Sequence, residues 1–390
     1  MTSGGRPRRS QDERDFPVKF QRYGSVAGVA VAAALALSAC GSDNNGAPSG
    51  GSSTTAAGST SASSAACPSG TLKAAGSTAQ ANAISQWTKD YQGQCTGVTV
   101  DYNGNGSGAG VTSFIQKQAD FAGSDYSLST TQAGQVTSAS RCGTGTAIDI
   151  PAVPGAIAVV FNVPGVTNLN LSAKTLAGIY NGTITTWNDA AIKTDNPSVT
   201  NLPALKIQPF MRSDTSGTSY NFSNYLNHLG GFAAANKQFP STKAQGVKGS
   251  SAVAAKVKAT SGGIGYVEYS YATQNSLSFA AVSNSSGAFV PLTQTNAANF
   301  IAKAKVTQNG SDTTLAFDYT YASADAYPAT LVTYEIVCGT GNDATQLPLI
   351  KGFLNYIVSS SAQGELTGEG YVPLPSSIAA TDATAIAALQ

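Results

Sequence analysis

Three short segments rich in Gly, Ser and Thr carry the residue types that bind anions. They are AAGST at 74–78, GNGSGAG at 104–110 and RSDTSGTS at 212–219. The first two follow strand-like runs, and all three lead into helix-like ones. The first turn of a helix exposes unpaired N–H groups and a partial positive charge, which suit an oxyanion. A single such turn is ordinary turn chemistry, but three together predict one anion site that includes Thr78 and Ser107.

The third segment adds a cation. Arg212 ends a strand-like run and is one of only two arginines after Cys40. Its planar, paired donors match two oxygens of a tetrahedral anion, and Asp214 is placed to hold the guanidinium. The alternative is a surface arginine beside an ordinary helix cap. The helix that follows would present N–H groups and hydroxyls to the same anion from Ser216, Gly217 and Thr218.

One carboxylate, Asp125, narrows the choice of ligand. A carboxylate only accepts hydrogen bonds, so among anion donors it would repel a fully ionised oxyanion. Phosphate as HPO4 can donate a proton to it, whereas sulfate cannot. A site that pairs a ligand O–H rejects an analogue without it by about 10⁴-fold or more. Asp125 therefore predicts phosphate, and its alternative role is a surface cap before Ser127.

Composition argues against several classes of protein. The 390 residues are 42% hydrophobic and only 11% charged, compared with about 25% charged in an average globular protein. The sequence has no basic stripe of the kind that binds nucleic acid. It also has no Cys/His metal cluster, no catalytic triad and no Walker-type loop. The single histidine, His228, falls inside a helix-like run. We therefore predict a protein that is not an enzyme, with no metal, cofactor or catalytic residue.

Residues 1–39 are predicted to be a lipoprotein signal peptide. Basic residues precede an uncharged stretch from Tyr23 to Ala39 that is barely long enough to span a bilayer. The sequence Leu37-Ser38-Ala39-Cys40 is similar to a bacterial lipobox, in which the cysteine is lipidated. The alternative is an uncleaved anchor helix. Residues 40–66 are almost wholly Ser, Gly, Ala, Thr and Asn, which predicts a flexible tether.

Removal of the signal peptide changes the charge and the cysteine count. The net charge falls from +1 to −2 because six basic and three acidic residues leave, so an anion must be captured by local donors. Four cysteines remain, which favours two disulfides among three possible connectivities. We favour Cys67–Cys95, which each stand a few residues before a strand, and Cys142–Cys338, which both occur in Cys-Gly-Thr-Gly.

The order of strand-like and helix-like runs predicts an α/β fold. Strand, glycine loop, helix and strand alternate over 71–123, the βαβ rhythm of a parallel sheet. The predicted strands are Thr71–Ala75, Val98–Tyr102, Ala119–Gly123, Gly155–Val163, Lys206–Met211, Gly263–Val267 and Ala329–Val337. Helices are predicted after each anion segment and at 171–180, 189–192, 297–305, 346–360 and 379–390.

Blocks spread over most of the chain are similar to those of the phosphate-binding lipoproteins and periplasmic proteins that serve ATP-driven phosphate transporters. In order they are AAGST, YNGNGSGAGV, DFAGSD, IPAVPGAIAVVFNVPG, YNGTITTWND, RSDTSGTS, IGYVEYSYA and AYPAT. The resemblance implies a two-lobed fold of the periplasmic-binding-protein class with the ligand in a cleft between the lobes. Lobe I would comprise 67–152 and 328–390, and lobe II 153–327.

The resemblance also implies roles for individual residues. Phosphate would be bound by Thr78, the N–H of Ala79, Ser107, Arg212, Ser216, Gly217 and Thr218, with Asp125 accepting the ligand proton and Asp214 supporting Arg212. Ala79 departs from members that carry Phe, so side-chain cover over the ligand would be thinner. The expected protein is a monomer, lipid-anchored through Cys40 to the outer face of the cytoplasmic membrane. It would pass inorganic phosphate to the permease of an ABC transporter.

Three other functions stay open at this point. One is a binding protein for another oxyanion, sulfate or molybdate, against which Asp125 argues. Another is an exported phosphatase on the same scaffold, which would need an activated nucleophile or a metal cluster. The last is a surface adhesin or antigen with a vestigial pocket, which would not need intact donors in all three segments.

Overall fold

The computed structural model describes residues 67–390. The predicted signal peptide, the predicted lipidation site Cys40 and the predicted tether at 40–66 lie outside the described residues. Within the described part, no helix has the length and apolar character needed to cross a bilayer.

Fourteen strands and twelve helices make up this part of the chain. The strands are β1 Gly70–Gly76, β2 Val98–Asn103, β3 Phe121–Ser124, β4 Ala147–Asn162, β5 Asn170–Leu171, β6 Gln208–Arg212, β7 Gln245–Val247, β8 Gly263–Glu268, β9 Ser278–Phe279, β10 Ala281–Ser283, β11 Phe289–Val290, β12 Lys305–Asn309, β13 Asp312–Ala316 and β14 Thr330–Cys338. The helices are α1 Ala81–Gln94, α2 Ser107–Ile115, α3 Thr130–Ser138, α4 Ala173–Asn181, α5 Ala190–Asp195, α6 Gly217–Gly230, α7 Ser250–Ala259, α8 Tyr269–Gln274, α9 Gln294–Ile301, α10 Leu347–Ile357, α11 Ser360–Glu365 and α12 Ser376–Ala387.

The main sheet joins two parallel blocks through an antiparallel centre. Its strand order is β2-β1-β3-β14-β4-β8-β6-β7, with β9 paired to β4. Strands β1, β2 and β3 are parallel to one another, as are β6, β7 and β8, whereas β14 and β4 run antiparallel to their neighbours. Because the carboxyl ends of parallel strands meet at one edge of a sheet, the segments that follow β1 and β3 are brought close together.

Strand β4 is the long connection between the two blocks. It pairs with β14 from Ala147 to Ala156 and with β8 from Ile157 to Asn162. Two large apolar clusters flank this change of partner. One contains Trp87, Phe121 and Phe353, and the other contains Tyr180, Phe222 and Tyr266. The predicted lobe boundary at 152/153 falls within β4, and the one at 327/328 falls just before β14. The division into lobes stays a prediction.

Most predicted elements form, with a few corrections. The strand predicted from Gly155 begins at Ala147, although Pro151 and Pro154 would normally interrupt a central strand. A register shift opposite Thr333 and Tyr334 accommodates the irregularity. The helix predicted over 297–305 runs from Gln294 to Ile301, and a hairpin of β12 and β13 begins at Lys305.

The four cysteines form two disulfides, and the pairs are those predicted. Cys67 is joined to Cys95, which ends α1 next to β2, and Cys142 is joined to Cys338 at the end of β14. The second bridge spans 196 positions of sequence. It ties the segment after α3 to the central strand that carries residues of the site described next.

Candidate anion-binding site

Four helix N-termini converge on one buried point. The predicted segments lead into α1, α2 and α6, and the fourth helix is α7. The Thr78 hydroxyl lies 3.0 Å from the Ser250 hydroxyl, and the Gly217 N–H donates to Ser107 Oγ at 3.2 Å. The three segments therefore meet as predicted. Their residues come from both parallel blocks, so direct contacts cross the space between them.

Arg212 lies at the carboxyl end of β6, where only 2% of its surface is exposed. Its Nε donates to Asp214 Oδ1 at 2.8 Å, and Nη2 donates to Asp214 Oδ2. The remaining nitrogen, Nη1, donates to Ser250 Oγ at 3.0 Å and lies 3.5 Å from Thr218 Oγ1. Asp214 thus fixes one edge of the guanidinium, and the other edge faces the helix N-termini.

The ion pair keeps both partners charged in spite of their burial. Burial lowers the pKa of Arg212, but the hydrogen bond and charge of Asp214 outweigh it and raise the pKa overall. Burial likewise raises the pKa of Asp214, and Arg212 more than offsets this, so that the pKa falls below its ordinary value. Asp214 Oδ1 also accepts from the Gly249 N–H at 3.2 Å. The guanidinium of this pair stays charged and fixed in place, and its free edge can bind an oxyanion.

Asp125 follows β3 and is 3% exposed. Its Oδ2 accepts from Ser107 Oγ at 3.2 Å, and its Oδ1 accepts from Thr333 Oγ1 at 2.7 Å. Its backbone carbonyl accepts from Asn221 Nδ2 at 2.6 Å, which connects it to α6. The carboxylate is therefore oriented by hydroxyls from α2 and from β14 rather than left as a surface cap.

The surroundings of Asp125 raise its pKa, so that it changes between acceptor and donor with pH. Burial raises its pKa to about 6; hydrogen bonds from Ser77 and Thr333 and the charge of Arg212 oppose this rise, whereas Glu268 adds to it. Above that pH the group is mainly a carboxylate, which accepts a proton-bearing oxygen. Below it the group is a carboxylic acid, which can donate.

Glu268 is a second buried carboxyl group that sequence reasoning missed. It ends β8, is 1% exposed, and its Oε1 accepts from Thr218 Oγ1 at 2.6 Å. Thr218 is thereby held between a cation and an acceptor. The sequence block IGYVEYSYA contains Glu268, but nothing in a strand-like run indicates that its last side chain turns toward a site.

Ser250 was also missed, although the sequence carries a local signal for it. It opens α7 after Gly249, whose φ of 82° requires a residue without a side chain. The sequence Gly249-Ser250-Ser251 has the same Gly/Ser pattern as the three segments recognised. Its hydroxyl contacts both Thr78 and Arg212. A search for every Gly/Ser start of a helix would have found it.

Ser216 and Ala79, which were also predicted as ligands, lie at the same site and form hydrogen bonds with other protein groups. Ser216 caps α6 by accepting from the Ser219 N–H at 3.1 Å. The N–H of Ala79 donates to Ser77 Oγ at 2.9 Å, so this predicted ligand donor has an acceptor within its own loop. The Ala79 carbonyl accepts from Tyr371 OH at 2.6 Å, which anchors the loop from the other side.

Close packing at the site depends on glycine at two positions. A Cβ at Gly217 would lie 2.3 Å from Asp125 Cβ, so only glycine lets the start of α6 approach this carboxylate. Gly106, before α2, has a φ of 103°, and a Cβ there would lie 2.4 Å from Asp214 Oδ2. Both contacts cross between the two parallel blocks.

The groups at the site are of the kinds that can bind an anion. Within residues 67–390 no group of three or more His, Cys, Asp or Glu side chains is arranged to hold a metal ion. His228 stacks on Tyr319 with ring centroids 4.7 Å apart. The site offers one cation, several hydroxyls, helix N-termini and the acceptor Asp125, with the second carboxyl group, Glu268, beside Thr218.

Comparisons with known proteins identify the family. A model described as a PBP superfamily domain matches residues 55–361. The chain is 39% identical over 379 residues to phosphate-binding protein PstS 2 of Mycobacterium tuberculosis, covering 96% of this chain and all of the relative. It is 33% identical to the phosphate-binding protein PstS of Xylella fastidiosa, covering 78% of this chain and 81% of that one.

Solved structures support the fold. A high-affinity periplasmic phosphate-binding protein with bound phosphate superimposes with a TM-score of 0.65 at 23% identity, covering 80% of this chain and 92% of that one. A phosphate-binding protein from Stenotrophomonas maltophilia gives a TM-score of 0.58 at 18% identity, covering 81% and 94%. The α/β, two-lobed class predicted from the sequence is confirmed. The chain belongs to the PstS family of phosphate-binding proteins, within the PBP superfamily.

Proposed function

We propose that this protein binds inorganic phosphate outside the cytoplasm and delivers it to an ABC-type permease. The observation that carries this function is the pairing of a buried acceptor, Asp125, with a buried cation, Arg212, at the meeting point of helix N-termini. The PstS relatives are named phosphate-binding proteins. A structural neighbour of the same fold was solved with phosphate bound.

In the proposed complex each predicted residue has one part. Asp125 accepts the proton of HPO4 or H2PO4, and Arg212 binds two oxygens while Asp214 holds it in place. The other contacts are N–H or hydroxyl donors from Thr78, Ala79, Ser107, Ser216, Gly217 and Thr218. Ser250 joins this set, since its hydroxyl touches both Thr78 and Arg212.

The proton that phosphate carries explains why the site would select phosphate over sulfate. Sulfate has the same shape but no proton at neutral pH, so it would place a second negative group against Asp125. No observation favours sulfate or molybdate as the main ligand. The relatives are binding proteins, and we propose that this chain is likewise not a phosphatase; a chromogenic phosphate-ester assay on purified protein tests this.

The test of the proposed ligand is a competition titration by calorimetry. The parent should bind phosphate with one site and reject sulfate, and Asp125→Asn should lose much of that rejection because an amide can donate to sulfate. Asp189→Asn is the matched control, because Asp189 caps α5 away from the site, and it should keep the parent selectivity. Equal selectivity in Asp125→Asn and the parent would overturn the role of the carboxylate.

The cellular setting is also proposed, on the sequence of the N-terminus. Residues 1–39 direct export, Cys40 carries lipid on the outer face of the cytoplasmic membrane, and 40–66 tether a monomeric body of two lobes, 67–152 with 328–390 and 153–327. Cys40→Ser should release the protein into the soluble fraction, as seen by fractionation and by loss of lipid mass. Retention of Cys40→Ser in the membrane would contradict lipid anchoring.

A further inference from the structure

Glu335 is a fully buried carboxyl group directly behind the site. It lies in β14 opposite Gly123 of β3 and Ile150 of β4, and none of its surface is exposed. Among the residues that the structure describes, neither of its carboxyl oxygens has a well-formed hydrogen bond. Because an ionised carboxylate in such a place loses its hydration without compensation, its protonation state calls for an explanation.

Gln80 is the side chain that interacts with this carboxyl group. It is fully buried in the loop between β1 and α1, directly after Thr78 and Ala79. Its Nε2 donates to Tyr102 OH at 3.1 Å, and Tyr102 OH donates to the Ser77 carbonyl at 2.7 Å. A Cβ at Gly123 would lie 2.1 Å from Gln80 Nε2, so glycine at the position opposite Glu335 makes room for this amide.

The cluster has a surplus of acceptors. Gln80 Oε1 is buried and has no hydrogen-bond partner within residues 67–390, and the same is true of both Glu335 oxygens. Oxygens of these two kinds cannot satisfy one another unless one carries a proton. A protonated Glu335 supplies that donor. Burial raises the pKa of Glu335 to about 8 and the charge of Asp125 adds to the rise, whereas donation from the Gln80 amide opposes it.

On the basis of the phosphate function proposed above, we propose that Glu335 is a positioning residue for phosphate. As a neutral carboxylic acid it donates to Gln80 Oε1 and thereby holds the loop Ser77–Gln80 that presents Thr78. The same strand face supports the acceptor, because Thr333 stands two residues earlier and donates to Asp125 Oδ1 at 2.7 Å. One face of β14 thus orients both the Thr78 loop and the proton acceptor.

Ionisation of Glu335 would undo this arrangement. It would remove the donor to Gln80 and add a negative charge close to Asp125 and to the ligand. The titratable groups that bear on Glu335 are Asp125 and Tyr102, while Arg212 and Glu268 act on Asp125. Burial holds the pKa of Tyr102 well above its ordinary value, so Tyr102 stays neutral as Glu335 titrates.

The experiment is a calorimetric phosphate titration of the full chain between about pH 7.5 and about pH 9.5, where phosphate is largely doubly ionised. The parent should lose affinity on the order of tenfold as pH rises through the pKa of Glu335, equivalent to one lost polar contact. Glu335→Gln keeps a donor at every pH and should bind phosphate with a nearly flat profile. Gln80→Met removes the acceptor instead, and should bind more weakly at neutral pH with a shallower profile, because only the charge of Glu335 then changes with pH.

Asp382→Asn is the matched control. Asp382 is a fully buried carboxyl group in α12 whose pKa burial also raises to about 8. This variant should keep the steep parent profile, and circular dichroism at each pH establishes that each variant is folded. Identical profiles for the parent and Glu335→Gln would overturn the inference, as would a parent profile in Gln80→Met if Glu335→Gln does not fold. A parent that binds no phosphate at about pH 7.5 would instead refute the proposed function.

Discussion

The carboxylate of Asp125 is held by hydroxyls from two different elements, Ser107 at 3.2 Å and Thr333 at 2.7 Å. The rise in its pKa comes mainly from burial, and the charge of Glu268 adds to it. Burial brings the pKa of Asp125 to about 6, so its protonation state changes with pH near neutrality. Selectivity at this residue should therefore change with pH in a direction that can be stated in advance.

Sulfate should compete better as the solution becomes acidic. With a pKa of about 6, Asp125 is an acceptor at pH 7.5 and mainly a donor at pH 5, where it can pair with a sulfate oxygen. The ratio of phosphate to sulfate affinity should fall on the order of tenfold across this range. Asp125→Asn should show a nearly constant ratio, and calorimetric competition at both pH values measures it. A parent ratio that is unchanged or higher at pH 5 would count against this account.

In its ionised form, at neutral pH, Asp125 should lower the stability of the ligand-free protein. Its folded pKa is raised above the ordinary 3.8 to about 6, so its stabilising contribution is complete below pH 3.8 and is lost as pH rises through 6. A pKa difference of that size corresponds to about 3 kcal/mol. Asp125→Asn should therefore raise the thermal midpoint at pH 7.5 more than at pH 4.5, as measured by calorimetry. An equal change at both values would mean that Asp125 is not buried as described.

At the scale of elements, helix N-termini placed by strand ends build the site. Strand β1 leads to Thr78, β3 leads to Asp125 and β6 ends at Arg212. The sequence predicted these because glycine loops, caps and apolar periodicity are local signals. Glu268 and Thr333 were missed because they lie within strands, where local sequence does not show which side chain faces a ligand. The early start of β4 was missed because its prolines suggest a break that tertiary pairing overrides.

The N-terminus of α6 should tolerate no side chain at its first residue. Gly217→Ala places a methyl group 2.3 Å from Asp125 Cβ, so the two segments must separate by about 1 Å to reach ordinary van der Waals contact. Phosphate affinity should fall on the order of tenfold to a hundredfold in a calorimetric titration.

The control for this variant is Gly134→Ala. Gly134 lies in the exposed part of α3, where an added Cβ meets nothing within 4 Å. It should bind phosphate as the parent does and be slightly more stable, since alanine favours helix. If Gly217→Ala also binds phosphate like the parent, the start of α6 does not approach Asp125 in the bound protein.

For the whole molecule, the two parallel blocks are joined by β4 and β14, and the site lies where their loops meet. Direct contacts such as Ser107 with Gly217 and Thr78 with Ser250 hold these loops together. An anion bound to loops of both blocks would add contacts that a separated form lacks, and so favour closure. The crossing between the blocks was expected only from the family resemblance, because strand pairing is long-range, whereas α7 was not predicted although its Gly/Ser start is a local signal.

The disulfides should contribute unequally to stability. Chain-entropy estimates give about 5 kcal/mol for a loop of 196 positions and about 4 kcal/mol for one of 28. The larger bridge is also fully buried, whereas Cys67 is exposed. Paired serine replacement of Cys142 and Cys338 should lower the thermal midpoint more than that of Cys67 and Cys95, with phosphate affinity unchanged in both. The reverse order in differential scanning calorimetry would contradict this ranking.

The most direct measurement is a calorimetric titration of phosphate into phosphate-free parent protein and Arg212→Ala, with Arg141→Ala as the control. Arg141 is the other arginine after Cys40, and its guanidinium contacts backbone carbonyls near α2. The parent and Arg141→Ala should bind one phosphate, and Arg212→Ala should lose on the order of a hundredfold or more in affinity, because Asp214 is left unpaired. Absence of phosphate binding in the parent, or unchanged affinity in Arg212→Ala, would contradict the account.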